Sequence, residues 1–266
     1  MDIQKKKKTA RIISFDLEVA PAVGDFYPPT WETRILKVKH RQALMSFAYQ
    51  VVGEKKITAH NLSQMKGYKK GSRDDKLLAE ELHKVLSSAD VLLGQNSDQF
   101  DVKMANYFFL LNDLEPIPPK KYIDTKKIAK RYFRFLNNTL DNLGEEMGFG
   151  GKTKDTYANL WEDAFLLGDK KAWKLMDTYC KRDVDITTKS YLKMRPFMRS
   201  HPALGRITGD FDSCPRCNSF DYRVKAYRTT NTSRYHQYQC NSCLGYFSDR
   251  KAITEKEGDI KPRFKV

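Results

Sequence analysis

A chain of 266 residues with 40% hydrophobic content has apolar material for one sizeable core and a small accessory module. Its 48 Lys and Arg against 33 Asp and Glu give a net charge of +15, the long-range field of a protein that meets polyanions such as nucleic acid, although charge alone is equally compatible with a device for solubility. No stretch approaches the roughly twenty apolar residues of a membrane span, and the run Lys5 to Lys8 leads into a strand pattern instead of a targeting segment, so the chain reads as a soluble, cytoplasmic monomer without a membrane partner.

The first element, Ile12-Ile13-Ser14-Phe15-Asp16-Leu17-Glu18, has the period of a strand. Ile13, Phe15, Leu17 and Val19 form its buried face, and Asp16 and Glu18 sit side by side on the other. Segment 21–40, rich in Pro and Lys, reads as a loop. Residues 42–52 and 57–60 read as strands around a turn at Gly53-Glu54. Ser72-Arg73-Asp74-Asp75 opens a helix whose stripe is Leu77, Leu78, Leu82, Val85 and Leu86 and which ends near Ser88. Val91-Leu92-Leu93-Gly94 has the composition of a buried parallel strand, and a helix follows from about Phe100 to Leu111, placing Asp101 where strand hands over to helix.

Tyr122-Ile123-Asp124 predicts a short strand, followed by a basic helix containing Ile128, Ala129 and Tyr132 and by a helix capped by Asn138 and stopped at Gly148. Residues 149–160, rich in Gly and Lys, read as a mobile segment. A long helix from about Asp169 to Met194 packs through Met176, Cys180, Val184, Thr187 and Tyr191, and Tyr179 and Asp183, four apart, share one of its faces. The fold class is therefore α/β, a mixed central sheet flanked by helices over residues 1–204, with a small β-rich module over 205–266.

The acidic pair on the first strand is the first chemical signal. Asp113-Leu114-Glu115 has the same spacing but sits in a Pro-rich loop, where carboxylates are simply solvated. A buried strand carries two carboxylates only when something offsets their desolvation. Like charges at that spacing repel unless a cation lies between them, so the pair points to a divalent metal. Asn96-Ser97-Asp98-Gln99-Phe100-Asp101 alone could be a turn and a helix start, and Tyr179 with Asp183 alone could be an ordinary helix face. All three in order, on strand, junction and helix, form a more specific pattern.

That pattern resembles the DEDD 3′–5′ exonucleases of the ribonuclease-H-like superfamily, in the branch with Tyr in the third motif. The likeness is greatest to the proofreading domains of family-B DNA polymerases and their stand-alone relatives, and it covers roughly residues 9–195. It implies a ribonuclease-H-like fold, two Mg²⁺ or Mn²⁺ held by Asp16, Glu18, Asp101 and Asp183, and a Tyr179 hydroxyl that orients or deprotonates the attacking water. It also implies single-stranded DNA as the favoured substrate, with Asn96 beside the substrate strand; the other reading of Asn96 is a side chain that ties down the turn. Phe100 reads as core packing ahead of a base-stacking wedge. An exoribonuclease or structure-selective nuclease on the same fold, and a non-catalytic nucleic-acid or partner-binding adaptor, are the alternatives.

Near the C-terminus, Cys214-Pro215-Arg216-Cys217 and Cys240-Asn241-Ser242-Cys243 provide two thiolate pairs, each able to grip one tetrahedral Zn²⁺ from a tight knuckle. The spacer between them is slightly longer than usual for such sites, as a longer hairpin would make it. The whole resembles a zinc ribbon, in which four cysteines complete the site and His236 is left on the surface. Between the knuckles Arg223, Lys225, Tyr227, Arg228, Arg234 and Tyr235 mix cations with flat rings, the composition that contacts phosphates and stacks on unpaired bases. The same module could dock a replication or repair protein.

Overall fold

In the computed structural model, which describes residues 9–27, 35–151 and 159–253, the chain divides into two compact units, one of Arg11–Met194 and the other of Arg195 onward together with the residues up to Ala10. Residues 195–204, read above with the larger domain, thus group with the cysteine module. The lysine run at 5–8 and residues 152–158 of the glycine-rich segment lie outside the described residues.

The first unit is built on β1 (Ile12–Ala20). Ile13, Phe15 and Leu17 are at most 4% exposed, as the alternation requires. A register shift between Glu18 and Val19 then breaks the period, and Val19 is only partly buried. Two short strands follow, β2 (Val23–Phe26) and β3 (Ile35–His40), paired antiparallel to each other. Segment 21–40 is therefore not a loop throughout. Its strands were illegible because all but one of their residues are exposed, so no burial period marks them.

β4 (Ala43–Val51) pairs antiparallel with β1, and β5 (Ile57–Asn61) antiparallel with β4. After α1 (Lys76–Ser87), β6 (Val91–Gly94) joins the other edge of β1 in parallel. α2 (Asp101–Leu111) leads on to β7 (Lys121–Asp124), parallel to β6. The result is a mixed five-stranded sheet in the order β5-β4-β1-β6-β7, flanked by helices. One core joins Phe15 and Phe47 of the sheet to Leu78, Leu82 and Leu86 of α1 and to Phe108 and Phe109 of α2. Leu77, placed by periodicity on that stripe, is 42% exposed.

The remaining helices of this unit are α3 (Thr125–Tyr132), α4 (Leu140–Glu146), α5 (Leu160–Phe165) and α6 (Lys170–Met194). Thr139, not Asn138, caps α4, its hydroxyl accepting from the Asn142 N–H at 3.3 Å. The six-residue α5 was missed, being too short to show a helical period, yet it buries Leu160, Ala164 and Phe165. The whole stripe read for α6 is buried, and Cys180 and Val184 pack against Ala48 of β4.

Asp75, read as part of a helix cap, does something else. It is fully buried at the start of α1, and its side chain does not cap the helix. Its carboxylate accepts from Arg41 Nη1 and Nη2, from the Leu44 N–H and from Asn112 Nδ2 at 2.8–3.0 Å, joining the entries of β4 and α1 to the end of α2. Removing one member of such a network leaves the others desolvated and unpaired.

The second unit contains α7 (Leu204–Thr208) and an antiparallel sheet of β8 (Tyr222–Thr229), β9 (Arg234–Cys240) and β10 (Tyr246–Ser248), with β9 in the middle. Buried Arg216 ties its knuckle to Met198 O through Nε at 2.7 Å. No helix among the described residues of either unit is long and apolar enough to cross a membrane.

Asp75→Ala is expected to lower the free energy of unfolding by about 3 kcal/mol, read from the urea midpoint at unchanged slope. A loss below about 1 kcal/mol would show that Arg41 and Asn112 find water or other partners at no cost.

Candidate functional site

The acidic residues singled out in the sequence meet at the carboxyl ends of β1 and β6. Asp16 and Glu18 lie on the face of β1 opposite Phe15 and Leu17, across from Ala48 and Ser46 of β4. Small neighbours leave that face open enough for α6 to approach. Its Cys180 thiol donates toward the Asp16 carbonyl oxygen and Oδ2 at 3.5 and 3.6 Å. Ligand atoms of Asp16, Glu18 and Cys180 lie within 4.8 Å of one another, a group that could hold a metal ion. Burial, then the charges of Asp16, Glu18 and Asp183, push the Cys180 thiol well above its ordinary range, so it stays a neutral donor.

Asp101 enters from the first residue of α2, where the sequence places it, and is 4% exposed. Its Oδ1 accepts the Leu17 N–H at 3.2 Å, the backbone amide between Asp16 and Glu18. Burial raises its pKa to about 7, opposed by backbone hydrogen bonds and reinforced by Asp124 and Asp183. Asp183, 2% exposed on α6, lines a cleft of about 520 Å³ together with Asp16, Gln95, Asn96, Asn138 and Asp141. The four carboxylates are thus electrostatic neighbours drawn from three separate segments, although Asp101 and Asp183 are outside the tightest group.

Asn96 is held in the left-handed region at φ 59°, where Asn is tolerated better than most side chains. Its backbone does the tying: its N–H donates to Asp124 Oδ1 at 3.1 Å, and its carbonyl accepts from Gln99 and Phe100. The turn is pinned further by Thr125 to Gln95 and by Lys127 to Asp98. The side-chain amide of Asn96 faces the cleft without a hydrogen-bond partner among the described residues. Tyr179 is half-buried on α6, one turn before Asp183, and is not among the cleft's lining residues. Phe100, expected in the core, is 44% exposed because it occupies the position just before α2.

Sequence reading missed Asp124, Gln95 and Asn138. Asp124 is 5% exposed and caps α3, accepting from Lys126 and Lys127 N–H at 2.9 and 3.2 Å. The available signal was an Asp-Thr pair directly after a strand, the chemistry of a helix start. Asn138 was assigned to a cap but lines the cleft, its carbonyl accepting from Gln95 Nε2 at 2.9 Å.

In the second unit the four cysteines close on one point, with Cys214 and Cys243 sulfurs 3.7 Å apart and Cys217 and Cys240 sulfurs 3.5 Å apart. A disulfide requires about 2.05 Å. Tetrahedral Zn–S bonds of about 2.3 Å put ligand sulfurs about 3.8 Å apart. The two knuckles repeat one backbone design. In each, the first cysteine's N–H donates to the carbonyl five residues on, Ser219 or Gly245, and its own carbonyl accepts from the N–H four residues on, Asn218 or Leu244. Those last residues share φ 61°. The thiol of Cys214 hydrogen-bonds to Cys243 and pulls it down to about 2, whereas hydrogen bonds with Cys214 and Cys243, and burial, push Cys217 upward. The four thiols could hold a structural metal such as zinc.

His236, expected on the surface, is half-buried and pairs through Nδ1 with Asp249 Oδ2 at 2.8 Å, with no part in the sulfur cluster. Arg223, Lys225, Tyr227, Arg228 and Arg234 are exposed along the β8–β9 hairpin, and Tyr235 is half-buried. Arg228 lies over the Tyr235 ring at 4.4 Å and Arg234 over Tyr227 at 3.8 Å.

No protein-family model matches the chain, and no curated protein matches it.

Two measurements follow from these sites. Elemental analysis is expected to find one tightly held metal ion per chain, released in Cys240→Ser; a full-strength protein free of metal would remove the sulfur site. At the carboxylates, folded Asp101 holds its proton to about pH 7 against an ordinary value of 3.8, so between those values the folded state binds more protons and stability falls as pH rises. A cation that compensates Asp101 is therefore expected to raise Tm more at about pH 8 than at about pH 5.5 when Mn²⁺ is added, whereas equal shifts at both would dissociate the metal from this carboxylate.

Proposed function

We propose that the protein is a metal-dependent 3′–5′ exonuclease that hydrolyses phosphodiester bonds at single-stranded ends, with DNA as the favoured substrate. The carrying observation is the convergence of four carboxylates from β1, the start of α2 and the middle of α6: Asp16 and Asp183 line one cleft, Glu18 lies beside Asp16, and buried Asp101 interacts with Asp183. The sheet order β5-β4-β1-β6-β7, with β4 alone reversed between parallel β1 and its far neighbour β5, supports the ribonuclease-H-like reading. The third motif, Tyr179 one turn before Asp183, supports the tyrosine-bearing branch.

The donor set fits hard divalent ions: carboxylate oxygens, two of them buried, with Asp101 costly to ionise without a cation. Asp16, Glu18, Asp101 and Asp183 would hold two Mg²⁺ or Mn²⁺, which when bound lower the pKa of a coordinated water and stabilise charge on the leaving oxygen. The chain's own residues supply the rest. The Asn96 amide offers both a donor and an acceptor to a strand entering the cleft, on a backbone already fixed by Asp124. Lys126 lines the same cleft and meets phosphate charge. The resemblance assigns to the Tyr179 hydroxyl, one turn before Asp183 on α6, the orienting of the attacking water. A surplus of 48 basic over 33 acidic residues steers a polyanion toward a site that is itself acidic. In the second unit the metal is zinc, and the two knuckles form a zinc ribbon.

The test uses matched DNA and RNA oligonucleotides labelled at either end, with Mg²⁺ or Mn²⁺. Single-stranded DNA is expected to shorten from its 3′ end. Asp16→Ala and Asp183→Ala are expected to abolish hydrolysis and leave binding intact, and residual rates within about tenfold of wild type, about 1.4 kcal/mol, would sink the assignment. Tyr179→Phe is expected to lower kcat far more than it changes KM; a change confined to KM would remove its role at the water.

A further inference from the structure

The β8–β9 hairpin carries two nearly identical Arg–Tyr stacks, and the register puts them on opposite faces. Arg228 is directly across from Tyr235, whereas Tyr227 is across from His236, with Arg234 one pair further along the same side. Sequence alternation would not give this arrangement. From Tyr222↔Cys240 the pairing runs regularly to Val224↔Tyr238, and an unbroken ladder would continue to Tyr227↔Tyr235. A bulge between Val224 and Ala226 shifts the ladder, so that Tyr227 joins His236. Bulges commonly re-aim a side chain in this way.

The shift completes a row of rings. Tyr227 to His236 is 5.6 Å between centroids, His236 to Tyr238 is 6.1 Å, and Tyr238 to Phe247 is 5.4 Å with the rings stacked. Arg234 covers Tyr227 at one end. Tyr222 closes the other, its ring 5.1 Å from Phe247. The opposite face of β9 presents Gln237 and Gln239 at the equivalent places. Beside the row lies a cleft of about 1030 Å³ lined by Tyr222, His236, Tyr238 and Phe247. Arg206, Arg250 and Lys251 line it too, with Asp212 and with Asp249, which His236 engages.

The occupant follows from charge. No Asp or Glu occurs from Tyr222 to Ser248, while Arg223, Lys225, Arg228 and Arg234 do. A protein surface with an apolar face would be covered equally well without such a bias, whereas a polyanion with flat bases matches both the cations and the rings. We infer that the ring-bearing face of the cysteine module, from Tyr227 through His236 and Tyr238 to Phe247, is a stacking platform for unpaired bases of a single-stranded nucleic acid. The choice of occupant rests on the nuclease reading, but the platform needs none of the carboxylates.

The two stacks provide their own control. Binding of fluorescein-labelled oligo-dT and oligo-U to the full chain is measured by anisotropy without added Mg²⁺ or Mn²⁺, and metal content reports that the module has folded. Tyr227→Ala/Arg234→Ala is expected to weaken binding by about tenfold or more, and Arg228→Ala/Tyr235→Ala, which removes the same charge and the same ring, by less than about threefold. Equal losses from both faces would reduce the platform to general electrostatics. No loss from either would overturn the proposal. Because hydrolysis is not read, failure of the nuclease assignment leaves this result intact, and failure here leaves that assignment standing.

Discussion

A carboxylate taken out of water has to be compensated where it lies, and the first unit is arranged around Asp101 and the backbone N–H that Leu17 gives it. That bond runs from the strand to the start of α2, so it also fixes how Asp16 and Glu18, on either side of Leu17, are presented. Cys180 serves the same acidic patch from α6 with a neutral thiol, which adds a weak donor and no charge. Asp124 does the opposite. It adds a buried negative charge beside Asp101 and spends one oxygen on three backbone amides, holding the Asn96 turn and the first turn of α3 together. A stability-optimised core would not gather this much acid. Such a gathering of acid supports the cation site proposed above.

The second unit meets a related constraint by different means. Among its described residues the apolar interior is small, the buried cysteines with Tyr222 and Phe247 packed on them, together with buried Met198 and Leu204. Four sulfurs at van der Waals distance and two matching knuckles supplement that core, and a metal ion would contribute its binding energy directly to folding. Because the cluster carries the fold, the strands beyond it are released from packing. The exposed outer half of β8 and β9 can then hold rings and guanidinium groups that a small hydrophobic core could not spare.

The legibility of this chain follows burial. β1 and α6 were readable because each presses a periodic apolar face into the core, β4 and β6 because each is an almost continuously buried run, and the acidic pair of β1 stood out because it occupies the second face of a strand with a buried first face. β2 and β3 left no such imprint, since nearly every side chain in them is exposed. α5 was too short to show a helical repeat, and Thr139 and Asn138 are adjacent residues of equal capping chemistry, so only coordinates assign the cap to one and the cleft to the other. Asp75 misled for a related reason: an acid before an apolar run has the pattern of a cap, and nothing local records that Arg41 and Asn112 will reach it. The clustering of the four cysteines was legible because two Cys-x-x-Cys pairs are recognisable from spacing alone.

Side-chain direction was the part least accessible to the sequence, and it turns on single residues of register. One shift after Glu18 ends the alternation of β1 just past its two carboxylates. Another after Val224 transfers Tyr227 from the amide-bearing face of the hairpin to the row of rings. Neither has a glycine or proline to announce it. A period-2 argument carried through either point assigns every later residue to the wrong face, so it finds the right residue types and misplaces them. The list of cations and rings between the knuckles was therefore silent about which of them share a face. That grouping is a property of the ladder, and it is why two chemically equivalent Arg–Tyr pairs a few residues apart need not have the same function.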